Sequence, residues 1–258
     1  MTVSTPAKVW QAGADWRQID IVSDIHLHAG APRTFGAWRQ HLLETSADAV
    51  LILRDLFDVW VGDDALTGTF EAECAAVLRA ASARRQVFFM HGNRDFLVGA
   101  SWSSHTGVTL LPDPTLGIAW GQRVLLSHGD SLCIADQSYQ RFRAMVRTEA
   151  WQAEFLELPL DERRRKGWEM RQASMLHQAQ AKEQGGTDVD DALANQWLDE
   201  AKAAVLLHGH THRPGCVGLG GDRVRWVLGD WELDAQPTRA LGMRWTPEGL
   251  SPLDLSGL

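Results

Sequence analysis

Cysteine is scarce. Cys74, Cys133 and Cys216 are three among 258 residues, odd in number and far apart, with no Cys-x-x-Cys pair. That excludes a disulfide framework and a thiolate zinc knuckle, and it points to a reducing compartment. No apolar run approaches the roughly 18 residues that a membrane-crossing helix needs. Residues 1–18 hold no apolar stretch and carry Asp15, so they do not read as a secretory signal. The expectation is a cytoplasmic protein whose membrane contact is peripheral. Basic charge is also short, with 25 Lys+Arg against 33 Asp+Glu leaving −8. Such a chain lacks the broad basic face that a phosphate backbone requires, and no nucleic-acid partner is expected. Tyrosine is almost missing: Tyr139 stands alone against 12 Trp, a ratio with no physical account.

What is present is a repeated pattern. Short apolar runs end in polar clusters: residues 19–22 run into Ser23-Asp24-Ile25-His26, and 50–53 into Arg54-Asp55. Residues 86–90 lead to His91-Gly92-Asn93-Arg94-Asp95, 124–126 to Ser127-His128-Gly129-Asp130, and 205–207 to His208-Gly209-His210-Thr211-His212. Runs of that length, rich in Val, Ile, Leu and Phe, predict buried strands. Helix-like stretches at 36–45 and 70–83 lie between them, so the fold class is α/β with a layered core. Ligands of such sheets bind beyond the carboxyl ends of the strands, where these clusters fall.

Residues 1–18 are expected to form an N-terminal tail and 19–258 one domain, with a helical cap inserted at about 136–190. Helical spacing at Tyr139, Phe142, Val146, Trp151 and Phe155 supports the cap, and Asp188 is the expected N-cap of a helix carrying Leu193, Trp197 and Leu198. Gly220-Gly221 between apolar runs predicts a hairpin turn. Arg163-Arg164-Arg165-Lys166 is open to two readings, a contact for anionic headgroups or a solvated helix face.

Taken singly, the polar groups say little. Asp24-x-His26 also fits a capping aspartate beside an exposed histidine, and Gly92-Asn93 also fits a turn. Histidines at alternate positions 208, 210 and 212 are the sharpest local signal, because three of them rarely serve packing. Together Asp24, His26, Asp55, Asn93, His128, His210 and His212 make seven O and N ligands without a thiolate. Seven groups crowd one ion but suit two that share a carboxylate, an arrangement that clamps both oxygens of a phosphoryl transfer. That donor set suits Mn²⁺, Fe²⁺ or Zn²⁺.

The order Asp-x-His, Asp, Gly-Asn, His, Gly-His-x-His resembles the calcineurin-like metallophosphoesterase superfamily. Residues 55–64 (DLFDVWVGDD), 91–97 (HGNRDFL), 128–130 and 208–214 narrow the resemblance to its branch acting on a lipid-linked nucleotide sugar in lipid A synthesis, over about residues 19–231. The resemblance implies a β-sandwich flanked by helices, and two Mn²⁺ per chain. Asp24, His26, Asp55 and His212 would hold one ion; Asp55, Asn93, His128 and His210 the other. It implies water attack on the α-phosphate of a diacylated UDP-glucosamine, giving UMP and lipid X at the inner-membrane surface. Asp55, Arg94 and His210 carry the catalytic roles, and Asn93, Arg94, Asp136, Ser174, Gln178, Lys182 and His210 the substrate contacts. His208 is left out of the metal shell, as a hydrogen-bonding support.

Two positions beside the expected ligands depart from the family pattern, as does Gln178 where relatives carry Asn. Arg94 stands where most of the superfamily has His after Gly-Asn, and a guanidinium suits charge stabilisation, not proton donation. Arg54 stands where the pattern has Gly before the bridging Asp. A side chain there strains a positive φ, and a cation beside two ions predicts weaker metal binding or activity unless it points away. Two other readings stay open: a phosphoesterase with another phosphate-ester substrate, and a metal-poor lipid-binding scaffold disabled by Arg54.

Overall fold

The computed structural model of the chain describes residues 7–183 and 188–258, without the side chains of 178–183. Its elements are β1 (Lys8–Gln11), β2 (Ile19–Val22), α1 (Pro32–Glu44), β3 (Ala49–Leu53), α2 (Thr69–Ser82), β4 (Gln86–Met90), α3 (Ala100–Thr106), β5 (Thr109–Leu111), β6 (Thr115–Ala119) and β7 (Gln122–Leu126). After these come α4 (Gln137–Val146), α5 (Glu149–Glu157), α6 (Leu160–Glu183), α7 (Asp191–Ala201), β8 (Val205–His208), β9 (Gly215–Gly220), β10 (Arg223–Val227), β11 (Trp231–Glu232), β12 (Arg239–Thr246) and β13 (Gly249–Asp254).

The strands form two sheets. One runs β1-β6-β7-β8-β10-β9, the other β11-β12-β2-β3-β4-β5 with β13 on β12. Strands β2 to β5 are parallel neighbours, as are β7, β8 and β10, so their carboxyl ends open on one rim. Alternation along a strand serves two cores at once. In β3, Leu51 and Leu53 join Ile19, Ile21, Leu126, Leu207 and Trp245 between the sheets. Val50 and Ile52 face the opposite way, onto Trp38 of α1, Leu78 of α2 and Trp102 of α3. A third cluster packs Leu125 and Leu206 on Ala194 and Leu198 of α7. Helices therefore cover both outer faces of a sandwich, and each buried Leu or Ile contributes about 2 kcal/mol by leaving water.

All five expected strand runs lie in these sheets. The hairpin between β9 and β10 turns at Gly220 and Gly221, both with positive φ. Residues 8–11, expected in a tail, instead add β1 in parallel to β6. The N-cap expectation at Asp188 is corrected: Asp190 accepts from the Leu193 amide at 2.8 Å, while Asp188 pairs with Arg225. The helix starts two residues later because its carboxylate, not that of Asp188, reaches the free amides of the first turn.

Between β7 and α7 stand α4, α5 and α6. The apolar periodicity runs on across Arg147 and Thr148, but the chain bends there because Thr148 accepts from the Trp151 amide and starts α5 anew. Phe155 of α5 reaches the core beside α1 to α3. The basic run is not a free cationic face. Arg163 is buried, donating to the carbonyls of Val61 and Leu158 and paired with Asp64. Arg164, Arg165 and Lys166 pair with Asp161, Glu162 and Glu169 on their own helix.

Candidate metal centre

Every expected ligand sits on a loop leaving the carboxyl end of a strand, and the loops are bent sharply. Asp24, His26, Asp55, His210 and His212 all have positive φ, between 45° and 68°. Side chains rarely adopt that region, and such strain concentrates where function demands an exact placement. The bends are held by backbone hydrogen bonds. Asp24 and His26 donate to the carbonyls of Arg54 and Asp55 at 3.0 and 2.9 Å, so the two loops continue the pairing of β2 with β3. Two glycines allow the final approach. A Cβ on Gly92 would strike the Asp55 side chain and its amide nitrogen, and one on Gly209 would strike the Asp24 carboxylate and Ser23 Oγ. The Gly-Asn and Gly-His pairs are thus steric requirements of two aspartates.

Ligand atoms of Asp24, His26 and His212 lie within 4.8 Å of one another, and so do those of Asp24, Asp55 and His128. His26 Nε2 faces His212 Nε2 at 3.4 Å, and His212 Nε2 is 3.3 Å from Asp24 Oδ1. Asn93 Oδ1 is 2.9 Å from His128 Nε2, whose ring packs on that of His210 at 4.6 Å. The His210 amide donates to the Asp24 carboxylate at 3.2 Å. His208 is turned to the backbone: its Nδ1 contacts the Gly209 carbonyl at 2.9 Å, and burial pushes its pKa down to about 4.

The electrostatics fit divalent cations. Burial, then the neighbouring Asp95, push the Asp55 carboxyl well above its ordinary pKa. Burial likewise holds His26 and His210 neutral, leaving ring lone pairs for a metal. Burial would also raise Asp24, but the hydrogen bond and charge of His212 bring it below the ordinary value. Buried carboxylates and facing imidazole nitrogens are a donor set for metal ions.

Arg94 lies beside this cluster, its Nε 3.8 Å from Asp55 and its Nη1 3.7 Å from Asp58. Its own amide donates to Asp55 Oδ1 at 3.0 Å. Arg54 does not face the ligands. Its buried guanidinium is turned to Asp113, which it contacts closely, and to Asp130 at 3.4 Å.

Sequence reasoning missed several residues here. Asp58 is held by Arg171 at 2.7 Å, and both line the cavities described below. Asp95 gathers the amides of Leu56 and Gly92 at 2.7 Å each, fixing the loops of Asp55 and Asn93. Asp95 stood inside the 91–97 motif and could have been found there; Arg171 carries no local signal.

Two cavities meet at the centre. One of about 650 Å³ is lined by His26, Asn93, Arg94, His210 and His212 together with Asp136 and Ser174. The other, about 240 Å³, runs between residues 58–61, 93–97 and the helices α4 to α6, against Phe96, Leu97, Phe142, Phe155 and Met170. Arg94, Tyr139, Arg171, Ser174 and His177 line both. Asp136 is engaged already: it accepts from the Tyr139 amide at 3.0 Å and contacts His177 Nε2 at 2.7 Å. The Gln178 and Lys182 side chains lie outside the described residues.

The calcineurin-like phosphoesterase family model matches residues 17–214, and the chain belongs to that family. Divalent metal cofactors follow from the family's fold. The chain is 42% identical over 245 residues to the UDP-2,3-diacylglucosamine hydrolase of Bordetella parapertussis, covering 91% of this chain and 94% of that protein. Identity to the UDP-2,3-diacylglucosamine hydrolase of Chromohalobacter salexigens is 40% over 216 residues, 82% of this chain and 87% of that protein. Among solved structures, the phosphoesterase Yfce of E. coli covers 92% of this chain at 16% identity and a TM-score of 0.45.

Proposed function

We propose that this chain hydrolyses UDP-2,3-diacylglucosamine, adding water across its diphosphate to release UMP and 2,3-diacylglucosamine 1-phosphate in lipid A synthesis. The observation that carries the reading is the apolar cavity opening onto the ligand cluster: a hydrolase of small phosphate esters has no use for a wall of Phe, Leu and Met beside its charged site. The hydrolase names of the relatives support it.

Two Mn²⁺ ions, one held by Asp24, His26, Asp55 and His212 and the other by Asp55, Asn93, His128 and His210, would activate water and stabilise charge on the phosphoryl oxygens. The attacking oxygen bonds to the α-phosphorus, and the bridging oxygen leaves with the sugar phosphate. The protein supplies orientation. Arg94, at the junction of the cavities, offers a permanently charged fork to the diphosphate, with Asn93 and His210 beside it. Ser174 and Asp136 line the path of the sugar, with Gln178 and Lys182 further along α6. Acyl chains enter between α4, α6 and residues 58–61, along an apolar lining.

Among the described residues no helix is long and apolar enough to cross a membrane. We infer peripheral contact, supported by Trp168, Met175 and Leu176 of α6, which are 53, 50 and 66% exposed. The test is turnover of UDP-2,3-diacylglucosamine by Mn²⁺-loaded protein, with chelator-treated protein beside it. UMP and lipid X appearing only with metal support the reading. Metal-bound protein that cleaves other phosphate esters and leaves this one intact overturns it.

A further inference from the structure

Arg54 is fully buried at φ 83°, a conformation that favours glycine, so something must hold an arginine there. Its guanidinium contacts Asp113 and Asp130, whose side chains are 11 and 0% exposed. Each of those carboxylates has a second duty at the site. Asp113 Oδ1 accepts from the amide of His128 at 3.4 Å. Asp130 Oδ2 accepts from the Tyr139 hydroxyl at 2.7 Å and from Arg143 Nε at 2.8 Å, both on α4. The single tyrosine of the chain packs its ring 5.5 Å from that of His210 and lines both cavities. At the other end of α4, Arg147 donates to the Gly92 carbonyl at 2.6 Å.

We propose that Arg54 is a positioning residue: by neutralising the buried pair Asp113 and Asp130 it clamps α4, and with it Tyr139, against the metal-ligand loops. Two buried carboxylates cannot share this space uncompensated, and Arg143 faces only Asp130 closely, standing 4.0 Å from Asp113. Glycine at position 54 relieves the backbone but removes the guanidinium that contacts Asp113 closely, leaving that carboxylate without a near cation beneath α4. The sequence alone predicts weaker metal binding or activity from Arg54 unless it points away; the guanidinium points away, and on this proposal glycine here impairs rather than improves function.

The test is amide hydrogen exchange of the full chain as R54G and as R54G/D113N, with the KM for UDP-2,3-diacylglucosamine measured beside it. Only the KM arm rests on the proposed substrate; exchange does not, so the two ideas fail separately. In R54G the amides of residues 137–146 lose about tenfold or more of their protection while those of α2 and α7 keep theirs, and KM rises about tenfold with kcat within about threefold. D113N, which keeps an acceptor for His128 and removes one carboxylate charge, restores both. The proposal is overturned by unchanged or improved protection of α4 in R54G, by loss spread evenly over all helices, or by a double variant that recovers nothing. Should R54G not fold, R54M, uncharged but retaining a side chain of similar reach, is read in the same way.

Discussion

The metal centre and the apolar cavity beside it are built by opposite means. The centre takes one or two residues from each of five loops and holds them by backbone: positive φ at Asp24, His26, Asp55, His210 and His212, glycines that admit two aspartates, and amides bonded to neighbouring loops. The cavity takes many residues from three helices, and long side chains hold the helices in place, Arg163 to Asp64, Arg171 to Asp58, Arg143 to Asp130. A backbone-built site tolerates almost no substitution, because each ligand has one geometry. A wall assembled from apolar faces tolerates many, because volume is what counts there. Chemistry is therefore concentrated in a few letters of the sequence and substrate choice is spread over many.

Several measurements would sharpen or break that contrast. The largest effect belongs to the backbone-built half. Asp55→Asn, or chelation of the native protein, should lower turnover by about 1,000-fold or more with the circular dichroism of the fold retained. A folded Asp55→Asn enzyme with near-native activity would remove Asp55 from the centre. Next comes Gly209→Ala, whose Cβ meets the Asp24 carboxylate. Metal affinity, read by calorimetric titration, should fall about 10- to 100-fold, the range expected when a ligand's support is disturbed.

The helix-built half should respond more softly. Ala173→Trp, on the exposed part of α6 that lines the apolar cavity, should cut the ratio of turnover on diacylated to acyl-free UDP-sugar about tenfold. An unchanged ratio would mean that acyl chains lie elsewhere. The smallest effect should come from outside both regions. Burial pushes His41 of α1 down to about 4, so the folded protein keeps it neutral while the unfolded chain protonates it near its ordinary value of 6.5. Its contribution is complete above pH 6.5 and is lost as pH falls toward 4, on the order of 2 kcal/mol. His41→Gln should flatten the acid limb of a plot of unfolding free energy against pH; an unaltered limb would assign that slope to other groups.

The same contrast decides what could be read from the sequence. Strand runs ending in Asp, Asn or His were legible because a buried parallel strand and the polar cluster at its end both leave local marks, and Gly92 and Gly209 mark the close approaches. The edges of the fold were less so. β1 is a four-residue strand whose partner lies more than a hundred positions away, and the break at Thr148 is a capping event inside an unbroken apolar rhythm. Least legible were the ion pairs. The sequence leaves open whether Arg54 faces the metals or points away, because nothing near it in the chain announces Asp113 or Asp130; only the folded chain shows where the guanidinium turns. The basic run at 163–166 divides in the same way: its last three residues make exposed pairs on their own helix, while its first arginine is an internal tie of the cap to Asp64.

The left-handed backbone at five ligands has one more consequence. Each such bend costs about 1–3 kcal/mol, and the surrounding fold bears that cost before any ion arrives. The centre should therefore behave as a socket already shaped: an ion entering it would rearrange little, and one leaving it would not release the loops. Exchange between divalent ions should proceed on the folded protein, with the composition of the surrounding medium deciding which ion is resident.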